Sequence, residues 1–60
     1  MKFKYLEVIS YNNKEVVSRL DVSSLSERRV DKLERGININ LNHDYYYTAE
    51  KNSEVKLLEL

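Results

Sequence analysis

The stretch KFKYLEVISYNNKEVVSRLDV, residues 2–22, decides the fold because it carries two strand patterns separated by a turn signal. Residues 2–11 are rich in β-branched and aromatic side chains, which favour strands. Residues 12–14, NNK, predict the turn, since asparagine tolerates the positive φ that tight hairpin turns require. Residues 15–22 then alternate apolar and polar side chains, with Val17 as the exception. The stretch therefore predicts an antiparallel hairpin.

The first of these strands carries apolar side chains on both of its faces. Phe3 and Tyr5 have one parity, whereas Leu6 and Val8 have the other. Successive side chains of a strand point to opposite faces of the sheet, so neither face of this strand is purely polar. This pattern predicts a strand that is central in its sheet or interrupted by a bulge.

A helix is predicted after the hairpin. Ser23 or Ser24 can begin it, and Ser24 with Glu27 three residues later matches a capping box. The predicted helix runs through SERRVDKLER, residues 26–35, where the apolar side chains form a narrow stripe. Gly36 stands where a helix commonly ends in a left-handed residue. The sequence thus predicts one short amphipathic helix.

The remaining residues predict further strands. Residues 37–42 alternate without error between apolar and asparagine side chains, which is typical of a half-buried strand. A turn at 42–44, a strand at 45–49 and a polar loop at 50–53 follow. The last segment, EVKLLEL at 54–60, fits a helix capped by Ser53 or a strand, and we favour a strand that completes the sheet. The predicted fold is α+β, a single domain over 1–60 with a small antiparallel sheet of three to four strands and one helix packed on one face, in the order ββαβ or ββαββ.

Length and composition bound the function. A chain of 60 residues buries only about 60% of its unfolded surface, and we expect a net stability of about 3–5 kcal/mol. Ten basic and ten acidic side chains leave no net charge, whereas nonspecific nucleic-acid binders need a basic excess. The absence of cysteine fits a reducing compartment. Neither a signal peptide nor a membrane span is apparent, so we expect a cytoplasmic protein.

Residues suited to catalysis are scarce. His43 and Asp44 are the only acid–base candidates, but neighbours in a turn rarely face each other as a dyad. A lone histidine among scattered carboxylates does not predict a metal site, and a single glycine excludes a glycine-rich phosphate loop. We therefore predict a protein that is not an enzyme, with no catalytic, cofactor-binding or metal-binding residues and no cofactor.

Two patterns suggest a surface for a macromolecular partner. The asparagines of segment 37–42 would form a row of amides that donate and accept hydrogen bonds, although an ordinary solvated face would look similar. Residues 45–47 are three consecutive tyrosines, a residue type enriched at interface hot spots. Acidic side chains of the helix and turn would complement a basic partner. The candidate partner-binding residues are Asp31, Glu34, Asn38, Asn40, Asn42, Asp44, Tyr45, Tyr46 and Tyr47.

Two alternatives remain open for these patterns. The helix carries Arg28, Arg29, Lys32 and Arg35, but acidic residues are interleaved with them, which is typical of a solvated helix face. The tyrosines could stack on RNA bases, which would make the chain a small nucleic-acid-binding regulatory protein. The balanced charge argues against that function, and we expect no direct nucleic-acid binding.

Three segments together resemble the Dmd family of antitoxins from T-even bacteriophages. These are MKFKYLEVISYNNKEVVSRL (1–20), SERRVDKLERGININL (26–41) and YYYTAEKNSEVKLLEL (45–60), so the resemblance covers nearly the whole chain. It implies a protein that binds a host endoribonuclease toxin of the RnlA/LsoA type directly and inhibits it. Phage messenger RNA would then be protected in the cytoplasm of the infected bacterium. We expect the inhibitor to occlude the RNA-binding or active-site groove of the toxin.

Overall fold

A computed structural model describes residues 2–60 and contains one helix and one antiparallel sheet. The elements are β1 (Phe3–Ser10), β2 (Val16–Asp21), α1 (Glu27–Asn40) and β3 (Tyr46–Ser53). The three strands are arranged in the order β2-β1-β3, and both pairings are antiparallel. The predicted α+β class is therefore confirmed in its coarse form, but residues 2–60 contain no fourth strand.

The central position of β1 agrees with its apolar side chains on both faces. It pairs with β2 on one edge and with β3 on the other. The register with β2 shifts between Val8, opposite Ser18, and Ile9, opposite Val16. Val17 is the extra residue at this bulge, which explains why it interrupts the alternation of the second strand.

The β1–β2 turn is closed by backbone hydrogen bonds. The Ser10 N–H donates to the Glu15 carbonyl oxygen at 2.9 Å, and Lys14 N–H donates to the Ser10 carbonyl oxygen at the same distance. The Asn13 side chain accepts from the Glu15 N–H at 3.1 Å. The positive φ of the turn falls on Lys14, at 60°. An asparagine thus stabilises this turn through its side chain, and the left-handed position belongs to a lysine.

The face of the sheet that carries Leu6 packs against α1. Leu6, Val22 and Val30 form the buried cluster of this face, each about 1% exposed. The half-buried side chains of Leu25 and Ile37 pack against that cluster. Because one helix covers a three-stranded sheet, this core is small, and each of its members contributes a large share of the stability.

The observed helix differs from the predicted one at both ends. It is capped by Ser26, whose Oγ accepts from the Arg29 N–H at 3.3 Å, because a turn occupies Ser23 to Leu25. It also passes through Gly36 and ends at Asn40, so the strand predicted over 37–42 is wrong. Gly36 has no positive φ, and Ile37 lies two helical turns after Val30 on the core-facing stripe. Packing of Ile37 therefore outweighs the glycine stop signal.

The β2–α1 connection is held by local hydrogen bonds. Asp21 Oδ1 accepts from the Ser23 N–H at 2.9 Å. The Ser23 hydroxyl first, and then its backbone N–H, hold the pKa of Asp21 below its usual range. The Ser23 hydroxyl also accepts from Lys4 N–H at 2.9 Å, which ties the end of β2 to the start of β1.

The last strand is longer than predicted. It spans Tyr46–Ser53, so the predicted 50–53 loop is wrong. Pairing continues from Ser10 opposite Tyr46 to Phe3 opposite Ser53, along the full length of β1. The eight residues of β1 supply partners for polar residues that have little strand preference of their own. Pairing geometry therefore outweighs local propensity in this segment.

The final segment, 54–60, is neither the strand that we favoured nor a helix. It is an irregular tail on the sheet face opposite α1, where it lies against Tyr5 and Arg19. The Tyr5 hydroxyl accepts from the Leu57 N–H at 2.8 Å, and Arg19 Nη1 donates to the Leu58 carbonyl oxygen at 3.1 Å. Leu60 exchanges two backbone hydrogen bonds with Arg19, at 3.3 and 3.4 Å. These two bonds attach the end of the tail to the outer edge of β2.

The Tyr5 hydroxyl is a testable anchor of the tail. Tyr5→Phe removes the acceptor of the Leu57 N–H, at a cost of about 1 kcal/mol. Trypsin cleaves after Lys56 only when the tail is detached from the sheet. A loss of about 1 kcal/mol raises the population of the detached state about fivefold, so we expect cleavage to become about fivefold faster. Mass spectrometry of timed digests measures the rate. Tyr45→Phe, at an exposed tyrosine, is the matched control, and equal rates in both variants would contradict the anchor.

Candidate interaction surface

One flank of α1 forms an acidic surface together with β1 and β3. Glu27, Asp31 and Glu34 are spaced by four and three residues, so they lie on one side of the helix. Glu50 of β3 and Lys4 of β1 face them across a shallow depression. We call this surface the acidic seam, and its residues are Lys4, Glu27, Arg28, Asp31, Glu34 and Glu50.

The acidic seam carries a local excess of negative charge on a chain with none overall. Its six residues comprise four carboxylates and two cations, a net charge of −2. Arg35 lies outside the depression but pairs with Asp31, which reduces the local excess to −1. Lys4 Nζ lies 3.3 Å from Glu50 Oε1, and Arg35 Nη2 lies 3.4 Å from Asp31 Oδ2. Both pairs are open to water and contribute little to stability. An exposed surface with an excess of negative charge can instead attract a basic partner over a distance of about 8–10 Å.

The predicted row of asparagines does not exist, because its residues belong to a helix and to the loop after it. The Asn38 amide donates to Thr48 Oγ1 at 3.4 Å, between α1 and β3. Asn40 lies on the opposite flank of the helix. Asn42 Oδ1 accepts from the Asp44 N–H at 3.1 Å in the following turn. A strand would place all three on one face, but successive residues of a helix turn by about 100°.

The tyrosines are distributed over different surfaces. Tyr45 is 62% exposed in the turn, whereas Tyr46 and Tyr47 are half-buried on opposite faces of β3. The ring of Tyr47 packs against that of Tyr11 with centroids 4.7 Å apart. The Lys14 ammonium lies 5.6 Å from each ring centroid. We call Tyr11, Lys14 and Tyr47 the tyrosine cluster.

Sequence reasoning missed Tyr11 and Lys14 because they lie about 35 residues from Tyr47 in the chain. The antiparallel register of β1 and β3 would have revealed them. It places Ile9 opposite Tyr47, so the β1–β2 turn lies at the same end of the sheet as Tyr47. A lysine over an aromatic ring gains about 0.5–1 kcal/mol at an exposed site. That attraction partly offsets the energetic cost of the positive φ of Lys14.

The His43–Asp44 pair serves the α1–β3 turn. His43 Nε2 lies 2.8 Å from the Asn38 carbonyl oxygen, so Nε2 carries the proton and donates. This bond satisfies a carbonyl of the last helical turn, which has no partner within the helix. Among residues 2–60 no three histidine, cysteine, aspartate or glutamate side chains are grouped to hold a metal ion.

The other flank of α1 forms an apolar groove with a basic rim. The sequence analysis did not predict this groove, because it ended the helix at Gly36. We call it the leucine groove. It is lined by Leu25, Arg29, Lys32, Leu33, Gly36, Ile37, Asn40 and Leu41. The two surfaces share α1 but have no residue in common.

Of the nine predicted partner-binding residues, the structure brings only Asp31 and Glu34 together in the acidic seam. Asn38 lies between the same two elements, and the remaining six are elsewhere. No helix within residues 2–60 combines the length and the apolar character needed to cross a membrane. Comparisons with protein-family models, curated proteins and solved structures found no match to the chain. Its surfaces and its sequence resemblance are therefore the basis for a functional assignment.

Proposed function

We propose that this chain is a phage antitoxin that binds a host endoribonuclease toxin of the RnlA/LsoA type and inhibits it. The proposed complex forms in the cytoplasm of the infected bacterium and protects phage messenger RNA from degradation. The resemblance to Dmd-like antitoxins supports the identity of the partner. No catalytic group or cofactor is required for this function, because inhibition is stoichiometric.

The acidic seam is the observation that carries the proposal. An endoribonuclease binds the phosphates of RNA, so its substrate groove must present basic side chains. Glu27, Asp31, Glu34 and Glu50 offer carboxylates along one exposed surface that is about as long as two to three helical turns. Such a surface is complementary to a basic groove, where it can steer association and exclude RNA.

The decisive test measures binding and inhibition together. The purified chain is mixed with an RnlA/LsoA-type toxin, complex formation is measured by calorimetry, and cleavage of a labelled RNA is followed in the same mixture. We expect cleavage to stop near the stoichiometric point of the titration. Undiminished cleavage in a mixture that forms no complex would end the antitoxin proposal.

Reversing two charges locates the binding surface. The double variant Asp31→Lys/Glu34→Lys leaves two carboxylates and four cations, which changes the net charge of the acidic seam from −2 to +2. We expect toxin binding to weaken by about 1–3 kcal/mol per hot-spot residue, or tenfold and more. The dissociation constant from the same titration is the readout.

The matched control is Glu15→Lys/Glu54→Lys, because it makes the same change of charge at two exposed positions outside the acidic seam. Equal loss of affinity in the control and in the double variant would show an effect of net charge alone and contradict the acidic seam as the site. A melting curve of each variant confirms that the fold is intact.

The tyrosine cluster is the observation that favours a second function, a small nucleic-acid-binding regulatory protein. Two packed aromatic rings beside a lysine are a feature of surfaces that stack on unpaired bases. Titration with a labelled single-stranded RNA at rising salt separates the two functions. A phosphate contact loses affinity steeply with salt, and tight, salt-sensitive RNA binding would favour the regulator.

A further inference from the structure

The sheet has two outer edges, and the tail covers only one of them. At the β2 edge, Leu60 exchanges two backbone hydrogen bonds with Arg19. Glu59 Oε1 also accepts from the N–H of Asp21 on the same edge, at 3.2 Å. The tail therefore satisfies backbone groups that a neighbouring strand would otherwise bind, whereas it makes no such contact with the β3 edge.

The hydrogen bonds of β1 show which backbone groups of β3 point outward. Tyr11 N–H donates to the Tyr45 carbonyl oxygen at 2.9 Å, so every second residue counted from Tyr45 turns its backbone groups towards β1. The residues between them direct their N–H and C=O groups away from the sheet, and they include Thr48, Glu50 and Asn52. No hydrogen bond formed within residues 2–60 uses the backbone groups of these three residues.

The open edge of β3 is regular enough to accept another strand. Its register with β1 is unbroken from Tyr46 to Ser53, so no bulge twists it away, and the chain contains no proline that would block it. The outward groups from Thr48 to Asn52 extend over about 14 Å, at about 3.4 Å per residue. An extended strand satisfies such a row of alternating donors and acceptors, whereas a helix bonds its backbone groups internally.

The acidic seam lies directly beside this edge. Glu50 belongs to both, because its side chain lines the seam and its backbone lies on the edge. Its partner in β1 is Leu6, which packs on the α1 face of the sheet. Every second side chain of a strand added to this edge would stand on that face. It would meet the flank of α1 that carries Glu27 and Glu34, which form no ion pair within the described residues 2–60.

The same carboxylates disfavour a second copy of this chain as the added strand. Two antiparallel β3 strands would be related by a two-fold axis perpendicular to the sheet, which places both helices on the same face. Their acidic flanks would then face each other across the two β3 strands, and like charges would oppose the contact. The edge therefore favours a strand with basic side chains over a copy of itself.

We propose that an extended basic segment of the partner protein adds to the outer edge of β3 as a fourth strand of the sheet. Its backbone bonds to Thr48, Glu50 and Asn52, and its alternate lysine or arginine side chains meet the carboxylates of the acidic seam. This binding mode deepens the antitoxin function by naming the element of the partner that is bound, and it rests on that function only for the identity of the partner.

A synthetic peptide tests the edge without the toxin. The probe is a peptide of about ten residues that alternates lysine and threonine, which gives its strand one basic face and one uncharged face. The isotope-labelled chain is titrated with the probe, and amide hydrogen exchange is measured by nuclear magnetic resonance at saturation. We expect exchange at Thr48, Glu50 and Asn52 to slow by about tenfold or more, because hydrogen-bonded amides must open before they exchange. Lys56, whose N–H has no hydrogen bond to residues 2–60, should keep its rate.

A proline at Asn52 tests the contribution of the backbone. Asn52→Pro removes an outward N–H and leaves the hydrogen bonds between β3 and β1 intact, since an edge strand tolerates proline where its N–H faces solvent. We expect it to weaken peptide binding by about fivefold or more. Asn52→Thr changes the same side chain, keeps the N–H and is the matched control, with an unchanged dissociation constant.

A second peptide tests the sign of the charge on the wild-type chain. It alternates glutamate and threonine, so it offers the same backbone with the opposite charge, and we expect it to bind about tenfold more weakly or less. This comparison and the exchange measurement do not require the proline variant to fold, which a melting curve checks separately.

Four results would each overturn the proposal. The first is a lysine–threonine peptide that does not bind at concentrations up to about 1 mM. The second is binding that leaves the exchange of Thr48, Glu50 and Asn52 unchanged, because the peptide would then contact side chains alone. The third is equal affinity for the glutamate peptide. The fourth is slowed exchange of the same amides in the free chain as its concentration rises, which would place a second copy on the edge.

The peptide titration and the RNA-cleavage titration can fail independently. Peptide binding at the β3 edge without inhibition of the toxin would remove the antitoxin function and keep the edge as a binding site. Inhibition of the toxin without peptide binding would keep the function and remove the edge.

Discussion

Glu7→Ala is expected to destabilise the chain by about 3 kcal/mol, most of the 3–5 kcal/mol expected for a domain of this size. Glu7 is 4% exposed in the central strand, and its Oε2 lies 2.7 Å from Arg19 Nε. Removing it leaves the guanidinium without its partner. Because the Arg19 side chain is 17% exposed, water relieves part of that penalty, and we place the loss at the low end of about 3–5 kcal/mol for broken buried pairs. Urea unfolding followed by circular dichroism measures the change.

The surface pair between Lys4 and Glu50 provides the control. Its side chains are 28% and 47% exposed, so Glu50→Ala should cost less than about 1 kcal/mol. A second variant, Glu7→Leu/Arg19→Met, replaces both charges with apolar groups and should be more stable than Glu7→Ala, since no buried charge is left unpaired. If Glu7→Ala and Glu50→Ala unfold at the same urea concentration, the buried pair does not have the importance that its geometry indicates.

The second large effect is expected at Leu6. Leu6→Ala should cost about 2–5 kcal/mol, because it removes a fully buried side chain from a core with few other members. Leu6 is 1% exposed and packs with Val22 and Val30 between the sheet and α1. The loss is comparable to the whole stability of the domain, so we expect the variant to lack a cooperative thermal transition.

Leu58→Ala makes the same chemical change at a side chain that is 84% exposed. We expect it to change stability by less than about 0.5 kcal/mol, as surface substitutions usually do. Differential scanning calorimetry of both variants gives the comparison. If Leu6→Ala unfolds cooperatively at a melting temperature close to that of Leu58→Ala, the stability of the chain does not depend on the packing of Leu6 between the sheet and α1.

The sequence was most informative where independent signals agreed. The hairpin was predictable because strand propensity, alternation and an asparagine turn all favour it within residues 2–22. The central position of β1 followed from its apolar residues on both faces, whereas the extra residue of the bulge, Val17, lies in β2. These features depend on side chains that are close in the chain, so local patterns are sufficient to predict them.

The errors arose where one pattern has two solutions. Alternating isoleucine and asparagine over 37–42 has the period of a strand, yet Ile37 and Leu41 are also separated by one helical turn. The packing of Val30 and Ile37 on the core decides in favour of the helix, and this tertiary contact cannot be read from residues 37–42 alone. In the tail, Leu57 and Leu60 are held by Tyr5 and Arg19, whose availability cannot be read from residues 54–60.

The wrong assignment of residues 37–42 to a strand is also why the predicted partner surface differs from the acidic seam. Asp31 and Glu34 were identified from their charge, and they lie together because helix spacing is regular. Glu50 was missed because its place in the acidic seam depends on how α1 lies over β3. Glu27 was omitted although its spacing of four residues from Asp31 places it on the same side of α1. The leucine groove was hidden by the assignment of Gly36 as a helix end.

The central position of β1 also has a consequence for how the chain folds. The hairpin with β2 closes a short loop, whereas pairing with β3 joins residues as far apart as Phe3 and Ser53. Loop-closure entropy must be overcome before those distant contacts form, so we expect the hairpin to precede β3 in folding. During synthesis, β1 would leave the ribosome with one edge unpaired until β3 follows. For that interval the most apolar strand of the protein is open to strands of other chains, and rapid formation of α1 beside it would shorten its exposure.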